Sequence, residues 1–521
     1  MIIFSGLHSP RRRGVLASGI SASALLLPGC ATYSLLTVQP KSMPFTLGVA
    51  SGEPSSDGFL IWTRVLPVEF DPEHLHPHDA VVAWEIARDE KFAVIVASGR
   101  ERAVASAAHT VRVELHGLAA DSWYHYRFHC GDYTSTVGRT RTLPLADAKP
   151  KSLSFAVASC QHYEQGFFAA QKHLADEKVD MVWFVGDYIY EYGPSNKTDW
   201  PRRHNSPYCN TLTDYRRRYA QYKRDPHLQA MHNSAPFLPI WDDHEVENDY
   251  AGVLSRDHSA SFAAKRMAAY RAYIEHMPLR MPRVRPDGSV QLHRSVDFGQ
   301  LACFHALDVR QYRDEQPCSP AGKGAGYVVA SECVERLLPT RSMLGQAQER
   351  WFGDSLPKSK ARWNLIAQTT LVAQAMLSQR VWVDGWDGYP AARDRFIAQL
   401  ARPGVANPVV IGGDVHATYV SDLRLDTRRD DSPMVATEFC GTSITSPSWS
   451  QGAAERLTRE NPCIRYARSD RRGYLRFDLR ADRMEVALRV VDDARREDAE
   501  IETLATFAVE DGKPGSSMTV S

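Results

Sequence analysis

The fold is decided by residues 179–191, which read VDMVWFVGDYIYE. The first seven of these residues are almost continuously apolar, as expected for a strand buried on both faces of a parallel sheet. A similar apolar run, residues 153–158, precedes them, and helical spacing of apolar residues lies between the two. The pattern predicts a βαβ unit whose strands end just before Cys160 and Asp187.

Two later segments repeat this arrangement of a strand followed by polar residues. Residues 237–245 read FLPIWDDHE, and residues 407–416 read NPVVIGGDVH. The carboxyl ends of parallel strands are where open α/β sheets build ligand sites. We therefore expect all four junctions to converge on one sheet edge. Asp414 and His416 should point the same way, because side chains in an extended segment alternate.

The residues at these junctions are of types that bind metal ions. A carboxylate such as Asp187 is able to bridge two cations about 3.5–4 Å apart, which brings two Lewis acids onto one phosphoryl group. Asp242 is interpreted as a helix cap or a partner of the ligands, and Glu191 as a supporting carboxylate. Cys160, taken alone, also fits a buried apolar thiol.

Residues 44–146 have a different pattern, with short alternating runs separated by turn residues. This predicts an antiparallel β-sandwich domain with a structural or substrate-gating role. Leu118 and the segment 123–126, WYHY, resemble the corner region of fibronectin type III domains. Near the end of the chain, a predicted hairpin turns at residues 481–482 and is expected to add antiparallel strands to a second sheet.

Residues 1–33 are interpreted as an export signal. Arg12 and Arg13 precede a short apolar run and resemble a twin-arginine signal, with an ordinary Sec signal as the alternative. The following LPGC resembles a lipoprotein box, which leaves lipid attachment at Cys30 and simple signal cleavage as alternatives. All of these alternatives predict a periplasmic or extracellular protein, which would be anchored to a membrane if Cys30 carries a lipid. Disulfides are allowed there, and Cys318 with Cys333 is the predicted pair.

The composition excludes several classes of function. The 521 residues include 62 Lys and Arg against 62 Asp and Glu, so there is no global basic field and no nucleic-acid-binding signal. No Gly-x-Ser-x-Gly, Walker loop or His-Glu-x-x-His is present, which disfavours serine hydrolases, P-loop NTPases and common zinc proteases. The Arg pair at 202–203 and the Arg triplet at 216–218 are interpreted as solvated faces, with contact of one of them to a substrate phosphate as the alternative. Arg310 with Arg313 is interpreted as a structural ion-pair network.

Eight blocks of sequence together carry a family resemblance. They are residues 159–161 (SCQ), 186–191 (GDYIYE), 241–246 (WDDHEV), 272–280 (AYIEHMPLR), 307–314 (LDVRQYRD), 343–345 (MLG), 413–416 (GDVH) and 438–444 (EFCGTSI). With them the chain resembles the PhoD-like alkaline phosphatases and phosphodiesterases of the calcineurin-like metallophosphoesterase superfamily.

This resemblance covers nearly the whole chain and implies a fold and an activity. The implied fold is α/β, a four-layer αββα metallophosphoesterase sandwich over residues 151–510, preceded by the fibronectin/Ig-like β-sandwich. The implied activity is that of a secreted metal-dependent alkaline phosphatase or phosphodiesterase, acting on phosphomonoesters or phosphodiesters and exported by the twin-arginine machinery. An envelope phospholipase D on the same fold and a non-catalytic envelope binding module are the alternatives.

The resemblance also implies an iron–calcium site. Cys160 and Tyr190 would bind Fe³⁺ and Asp187 would bridge the metals. The full implied set of Fe³⁺ and Ca²⁺ ligands is Cys160, Asp187, Tyr190, Asn248, Asp414 and His416. The implied catalytic residues are Asp187, Asp243 and His244, with His244 favoured as the proton donor to the leaving group. The third junction reads Asp-Asp-His-Glu where the ordinary superfamily pattern has Gly-Asn-His-Glu, so which of Asp243, His244 and Asn248 touches metal stays open.

Overall fold

The computed structural model of the protein describes residues 40–66, 78–285, 287–319, 324–429 and 431–519. The export signal predicted over residues 1–33 and the lipid attachment predicted at Cys30 lie outside these residues. Within the described ranges, no helix combines the length and the apolar character needed to cross a bilayer.

The first part of the described chain forms two antiparallel sheets. Its strands are β1 (Val49–Gly52), β2 (Leu60–Arg64), β3 (Ala80–Ala87), β4 (Ile95–Ala103), β5 (Thr110–Glu114), β6 (Trp123–Cys130), β7 (Tyr133–Thr134) and β8 (Gly138–Arg141). One sheet has the order β1-β2-β5 and the other β4-β3-β6-β7, with β8 also paired to β6. Alternate side chains of both sheets, including Ile61 and Val82, share one core. The predicted β-sandwich is confirmed.

The corner predicted near Leu118 is also present. The Tyr124 hydroxyl accepts a hydrogen bond from the backbone N–H of Ala119 at 3.0 Å. Tyr124 is fully buried in the sandwich core, so this bond satisfies a polar group that burial would otherwise leave without water.

The remaining described strands belong mainly to two large sheets. They are β9 (Ser152–Ala158), β10 (Met181–Val185), β11 (Phe237–Ile240), β12 (Arg294–Phe298), β13 (Ala302–Ala306), β14 (Tyr327–Val329), β15 (Trp363–Ala367), β16 (Arg380–Trp382), β17 (Pro408–Gly412), β18 (Thr418–Arg424), β19 (Met434–Cys440), β20 (Ile464–Arg468), β21 (Arg472–Arg480), β22 (Arg483–Val491), β23 (Ile501–Glu510) and β24 (Lys513–Thr519). The α-helices are α1 (Ala169–Asp176), α2 (Leu212–Lys223), α3 (Pro226–Ser234), α4 (Phe262–His276), α5 (Gly345–Ser355), α6 (Pro390–Leu400) and α7 (Gln451–Glu460).

The two seven-stranded sheets pack face to face. Their strand orders are β11-β10-β9-β21-β22-β23-β24 and β12-β13-β15-β17-β19-β18-β20. Phe155 and Trp183 of the first sheet contact Phe304 of the second, with ring centroids 5.1 and 5.0 Å apart. Helices α1 to α4 cover the outer face of the first sheet, and α5 to α7 cover that of the second. The predicted four-layer αββα architecture is confirmed.

Two details of the predicted topology are wrong. The strand before Gly412 lies in the second sheet, so the four junctions meet at the edges of two sheets and not at one. The late hairpin, β21 with β22, joins the first sheet, because β21 pairs antiparallel with β9 through residues such as Phe477 and Phe155. Neither choice of partner is encoded in the apolar pattern of a single strand.

The β-sandwich is joined to the αββα layers by buried polar contacts. The Trp62 indole donates to the carbonyl of Glu275 at 3.0 Å, and an Arg64 guanidinium nitrogen lies 2.6 Å from His276. Lys223, which is 1% exposed, places its ammonium 4.3 Å from the centroid of the Trp62 ring. Burial lowers the pKa of Lys223 to about 7.

We expect Lys223→Met to raise the thermal unfolding temperature, and to raise it more at pH 7 than at pH 10. The lysine of the unfolded chain has a pKa of about 10.4, whereas that of the folded chain is about 7. Folding therefore carries a penalty that grows as the pH falls from about 10 to about 7 and is constant below that. At pH 7 the difference between the two pKa values corresponds to a penalty of about 4–5 kcal/mol, which the substitution is expected to remove.

The matched control for this prediction is Lys172→Met on helix α1, where the lysine side chain is exposed. Differential scanning calorimetry at both pH values provides the measurement. A lower unfolding temperature for Lys223→Met, or an equal shift at pH 7 and pH 10, would contradict the expected penalty.

Candidate metal centre and active-site cavity

The candidate site lies where strands β9, β10, β11 and β17 end. The first three run parallel, so the loops that carry Cys160, Asp187 and Asp243 leave the first sheet at the same edge. The loop after β17 brings Asp414 and His416 to this edge from the second sheet, and the ligand atoms of Asp187 and Asp414 lie within 4.8 Å of each other. The packing of two sheets thus joins the four predicted junctions.

The backbone of these loops is left-handed at several of the predicted ligands. Cys160, Asp187, Asp414 and His416 have φ of 59°, 57°, 64° and 55°. Non-glycine residues adopt this region rarely and at a cost of about 1–3 kcal/mol, and such residues cluster at functional sites. Gly186, beside Asp187, is required as glycine, because its φ is 93° and a Cβ there would lie 2.5 Å from Asp242.

A thiol, a phenol, an imidazole and a carboxylate meet at the centre of the site. The Tyr190 hydroxyl donates to Asp187 Oδ2 at 2.9 Å and lies 3.2 Å from His416 Nε2. The ligand atoms of Cys160, Asp187 and His416 all lie within 4.8 Å of one another. The hydroxyl of Ser446, a residue not predicted from the sequence, lies 2.8 Å from the Tyr190 hydroxyl.

Further groups of acidic side chains surround Asp187. Asp187 forms one group with Asp243 and His244, and another with Asp242 and Asp414, each with ligand atoms within 4.8 Å. Asp187 also belongs to the group with Cys160 and His416, so it is shared by three of the four groups. A fourth group joins Asp243 to two residues that the sequence analysis missed, Asp249 and Asp384.

The other two predicted residues also reach the site. The amide oxygen of Asn248 accepts a hydrogen bond from the Tyr192 hydroxyl at 2.9 Å, and Asn248 lines the same cavity as Asp187. His244 Nδ1 lies 2.7 Å from Glu191 Oε2, and its ring centroid is 4.1 Å from that of Tyr190. All predicted site residues are therefore brought together, and their individual roles stay predictions.

Arg310 is the fixed cation of the site. Its guanidinium donates to Asp242 and, at 2.6 Å, to Asp384, and it lies 3.6 Å from Asp243. Arg313 donates to Asp384 at 2.6 Å. The ion-pair network predicted for Arg310 and Arg313 is confirmed, and Asp242 partners Arg310. Burial raises the pKa of Asp384, but Arg310 and Arg313 outweigh it and hold that pKa below its usual value.

Negative charge at the centre is not fully neutralised by Arg310 and Arg313. Burial, and then neighbouring acids such as Asp242, raise the pKa of Asp414 well above its usual value. Burial raises the pKa of Asp187 well above its usual value, although His244 opposes the shift. Oδ1 of Asp187 and Oδ1 of Asp243 are buried with no hydrogen-bond partner among the described residues. Buried polar atoms normally have a hydrogen-bond or ion partner, and a bound cation would be such a partner for these two oxygens.

The donor set fits the two metals implied by the resemblance. Burial and the adjacent Asp187 raise the pKa of both the Cys160 thiol and the Tyr190 phenol well above their usual values. Their ionised forms therefore require a strong local positive charge, which a metal ion supplies. Thiolate and phenolate suit ferric iron, whereas the carboxylate and amide oxygens of Asp414 and Asn248 suit calcium.

A cavity of about 380 Å³ opens onto this centre. Its lining includes the predicted residues Asp187, Asp243 and His416, together with aromatic and aliphatic residues such as Trp382 and Trp449. Cavities of roughly 300–1,000 Å³ hold small-molecule ligands. The cavity is therefore the place where a substrate of the metal centre would bind.

Three polar residues outside the predicted site set are buried and hydrogen-bonded. Arg216 pairs with Glu275 at 2.6 Å, and fully buried Arg218 donates to backbone carbonyls that include that of Tyr192. The prediction of solvated arginine faces is therefore wrong at both. Buried Glu438 accepts hydrogen bonds from backbone N–H groups after β15. The charge run in the sequence contains no signal that separates buried from exposed arginines.

Comparison with known proteins gives matches along most of the chain. The sequence profile described as "PhoD-like phosphatase" matches residues 155–488, and the profile of its N-terminal domain matches residues 29–144. Alkaline phosphatase D of Bacillus subtilis (strain 168) is 41% identical over 488 residues, which cover 91% of this chain and 82% of that protein.

Comparison with solved structures also gives matches over most of the chain. The structure titled "Structure of PhoD" superposes with a TM-score of 0.88 at 40% identity, covering 93% of this chain and 94% of that chain. A purple acid phosphatase from yellow lupin (Lupinus luteus) seeds has a TM-score of 0.53 at 11% identity, covering 89% of this chain and 74% of that chain. The second likeness concerns the fold alone.

Proposed function

The chain belongs to the PhoD-like phosphatase family of phosphoric ester hydrolases, and we propose that it works outside the cytoplasm with an iron–calcium centre. The observation that carries the proposal is the meeting of Cys160, Tyr190 and His416 around Asp187, whose second oxygen is buried without a partner among the described residues. This combination of soft, phenolic and hard donors is unusual for a purely structural cluster.

In the proposed assignment, Cys160, Tyr190 and Asp187 would hold Fe³⁺, and Asp187 would also be a ligand of calcium. Asn248, Asp414 and His416 complete the two ligand shells. Bound cations would supply Lewis-acid stabilisation of negative charge on the phosphoryl oxygens. Arg310 pairs with Asp242 and Asp384, whereas Asp187 and Asp243 each keep one buried oxygen without a partner among the described residues, which is available to a cation.

His244 is the proposed proton donor to the leaving oxygen. Its Nδ1 is held by Glu191 at 2.7 Å, which orients the ring and leaves Nε2 for the cavity that His244 lines. Burial lowers the pKa of His244, but the carboxylates of Glu191, Asp187 and Asp243 outweigh it and raise that pKa well above its usual value. An imidazolium placed at the cavity is suited to general acid catalysis. Asp243 holds the loop by accepting the backbone N–H of Asp249 at 2.7 Å.

We expect protein exported by its own signal and purified without chelators to contain stoichiometric iron together with calcium. It should hydrolyse 4-nitrophenyl phosphate, bis(4-nitrophenyl) phosphate or both. Removing calcium with EGTA is expected to lower turnover by at least about a hundredfold, and added Ca²⁺ to restore it, because the proposed shells include calcium. Elemental analysis and release of 4-nitrophenolate provide the measurements.

The same experiment separates the alternatives. Turnover from a protein that holds zinc and no iron would contradict the iron–calcium assignment. Absence of both iron and turnover would favour a non-catalytic envelope module. Faster release of choline from phosphatidylcholine than of 4-nitrophenolate from either ester would favour phospholipase D chemistry on this fold.

A further inference from the structure

Three aromatic side chains form a continuous surface inside the cavity, which we call the aromatic wall: Tyr327, Trp382 and Trp449. The ring centroid of Tyr327 lies 5.0 Å from that of Trp382 and 6.2 Å from that of Trp449. The indole N–H of Trp449 donates to the Tyr419 hydroxyl at 3.0 Å, so its polar edge is already satisfied. The wall therefore offers apolar ring surface to the cavity.

This apolar surface begins directly beside the metal centre. Val415, which lies between Asp414 and His416 in the chain, lines the cavity, and so do Leu371 and Leu457. A phosphate group consists of five non-hydrogen atoms that seek cations and hydrogen-bond donors, so it gains nothing from such a lining. Only the organic part of a phosphate ester matches it.

The wall is held in place by contacts outside the metal loops. Tyr327 on β14 pairs with Trp382 on β16 in a two-stranded antiparallel sheet. The segment that carries β14 is closed by the disulfide between Cys318 and Cys333, the pair predicted from the sequence. Arg380 ties the same segment by donating to the Tyr327 carbonyl at 2.7 Å. A preorganised surface of this kind loses little entropy when it binds a ligand.

We propose that the aromatic wall binds an aromatic ring of the substrate, so that aryl and heteroaryl phosphate esters are the preferred substrate class. The inference rests on the proposed phosphatase function and specifies the organic group for it. The planes of Tyr327 and Trp382 are inclined by 56°, and those of Tyr327 and Trp449 by 38°. Because these rings contact one another, they form one wall and not a cage around a cation, which favours a planar ring over a quaternary ammonium group.

The test uses phenylphosphonate and ethylphosphonate, which resemble phosphate monoesters but are not hydrolysed. Isothermal titration calorimetry on the metal-loaded protein gives both dissociation constants. In Trp382→Ala and in Tyr327→Ala, the dissociation constant for phenylphosphonate is expected to rise about tenfold relative to that for ethylphosphonate, since stacking on an aromatic side chain contributes on the order of 1–3 kcal/mol. Trp382→Phe should retain most of the preference.

The control is Trp123→Ala in the β-sandwich, where the tryptophan stacks under Arg139, 3.3 Å from its guanidinium carbon, away from the cavity. The preference for phenylphosphonate should be unchanged there. If the alanine variants lost affinity equally for both phosphonates, or lost none, the proposal would be overturned. It would also be overturned if these variants lost as much affinity for octylphosphonate or phosphocholine as for phenylphosphonate. Binding is measured without turnover, so the two proposals fail separately. A protein that binds phenylphosphonate through the wall but hydrolyses no ester would reject the proposed function and the substrate class, and would leave the recognition of an aromatic ring by the wall in place.

Discussion

Replacing Asp187 with Asn is expected to lower kcat/KM for phosphate-ester hydrolysis by on the order of a thousandfold, or about 4 kcal/mol of transition-state stabilisation. Asp187 belongs to three of the groups that could hold a metal ion, and one of its oxygens is buried without a partner among the described residues. Asparagine keeps the size and one acceptor but removes the charge that a bridging position requires. The measurement combines steady-state kinetics on 4-nitrophenyl phosphate with elemental analysis.

The control is Asp431→Asn, which changes an aspartate whose side chain is 73% exposed and paired with Arg429. It should leave kinetics and metal content as in the wild type. Wild-type turnover in Asp187→Asn would defeat the assigned metal centre. If Asp187→Asn lost turnover but kept its full metal content, Asp187 would act by positioning the Tyr190 hydroxyl and not by binding metal.

The positions of Cys160, Asp187 and Asp414 were predictable because strands buried on both faces are recognisable as apolar runs. The residue that follows such a run lies at the end of its strand, whatever the order of strands in the sheet. That order depends on pairing between distant segments, such as β9 with β21, and no single strand encodes it. The sheet membership of β17 and of the late hairpin was therefore predicted wrongly, although the predicted site residues do lie together. Their roles stay predictions.

Asp384 and the aromatic wall had no comparable signal. Asp384 follows the short edge strand β16, and its connection to the site is the ion pair with Arg310, 74 positions away in the chain. Tyr327 reaches the cavity only because its segment folds back against β16. Contacts of this kind arise from tertiary packing of loops, and neither charge nor hydropathy along the chain marks them.

His244→Gln is expected to lower turnover strongly for a poor leaving group and weakly for a good one. A general acid contributes about 10²- to 10⁴-fold where the leaving oxygen must be protonated. Ethyl phosphate, which releases an alkoxide, should therefore lose at least about a hundredfold in kcat. 4-Nitrophenyl phosphate releases a stable phenolate and should lose only a few-fold. Phosphate release from the first and nitrophenolate release from the second provide the two values.

The contrast between the two esters separates proton donation from a structural role. Glutamine still accepts or donates a hydrogen bond towards Glu191, which His244 contacts at 2.7 Å, but it supplies no proton to the leaving oxygen. His116→Gln is the matched control, because that side chain is 57% exposed in the β-sandwich. If His244→Gln slowed both esters by the same factor, His244 would act on the phosphoryl group or on the metal ligands and not on the leaving group. If His244 donates the proton, the loss of turnover in His244→Gln must instead increase with the basicity of the leaving oxygen, because a more basic oxygen leaves only when it is protonated.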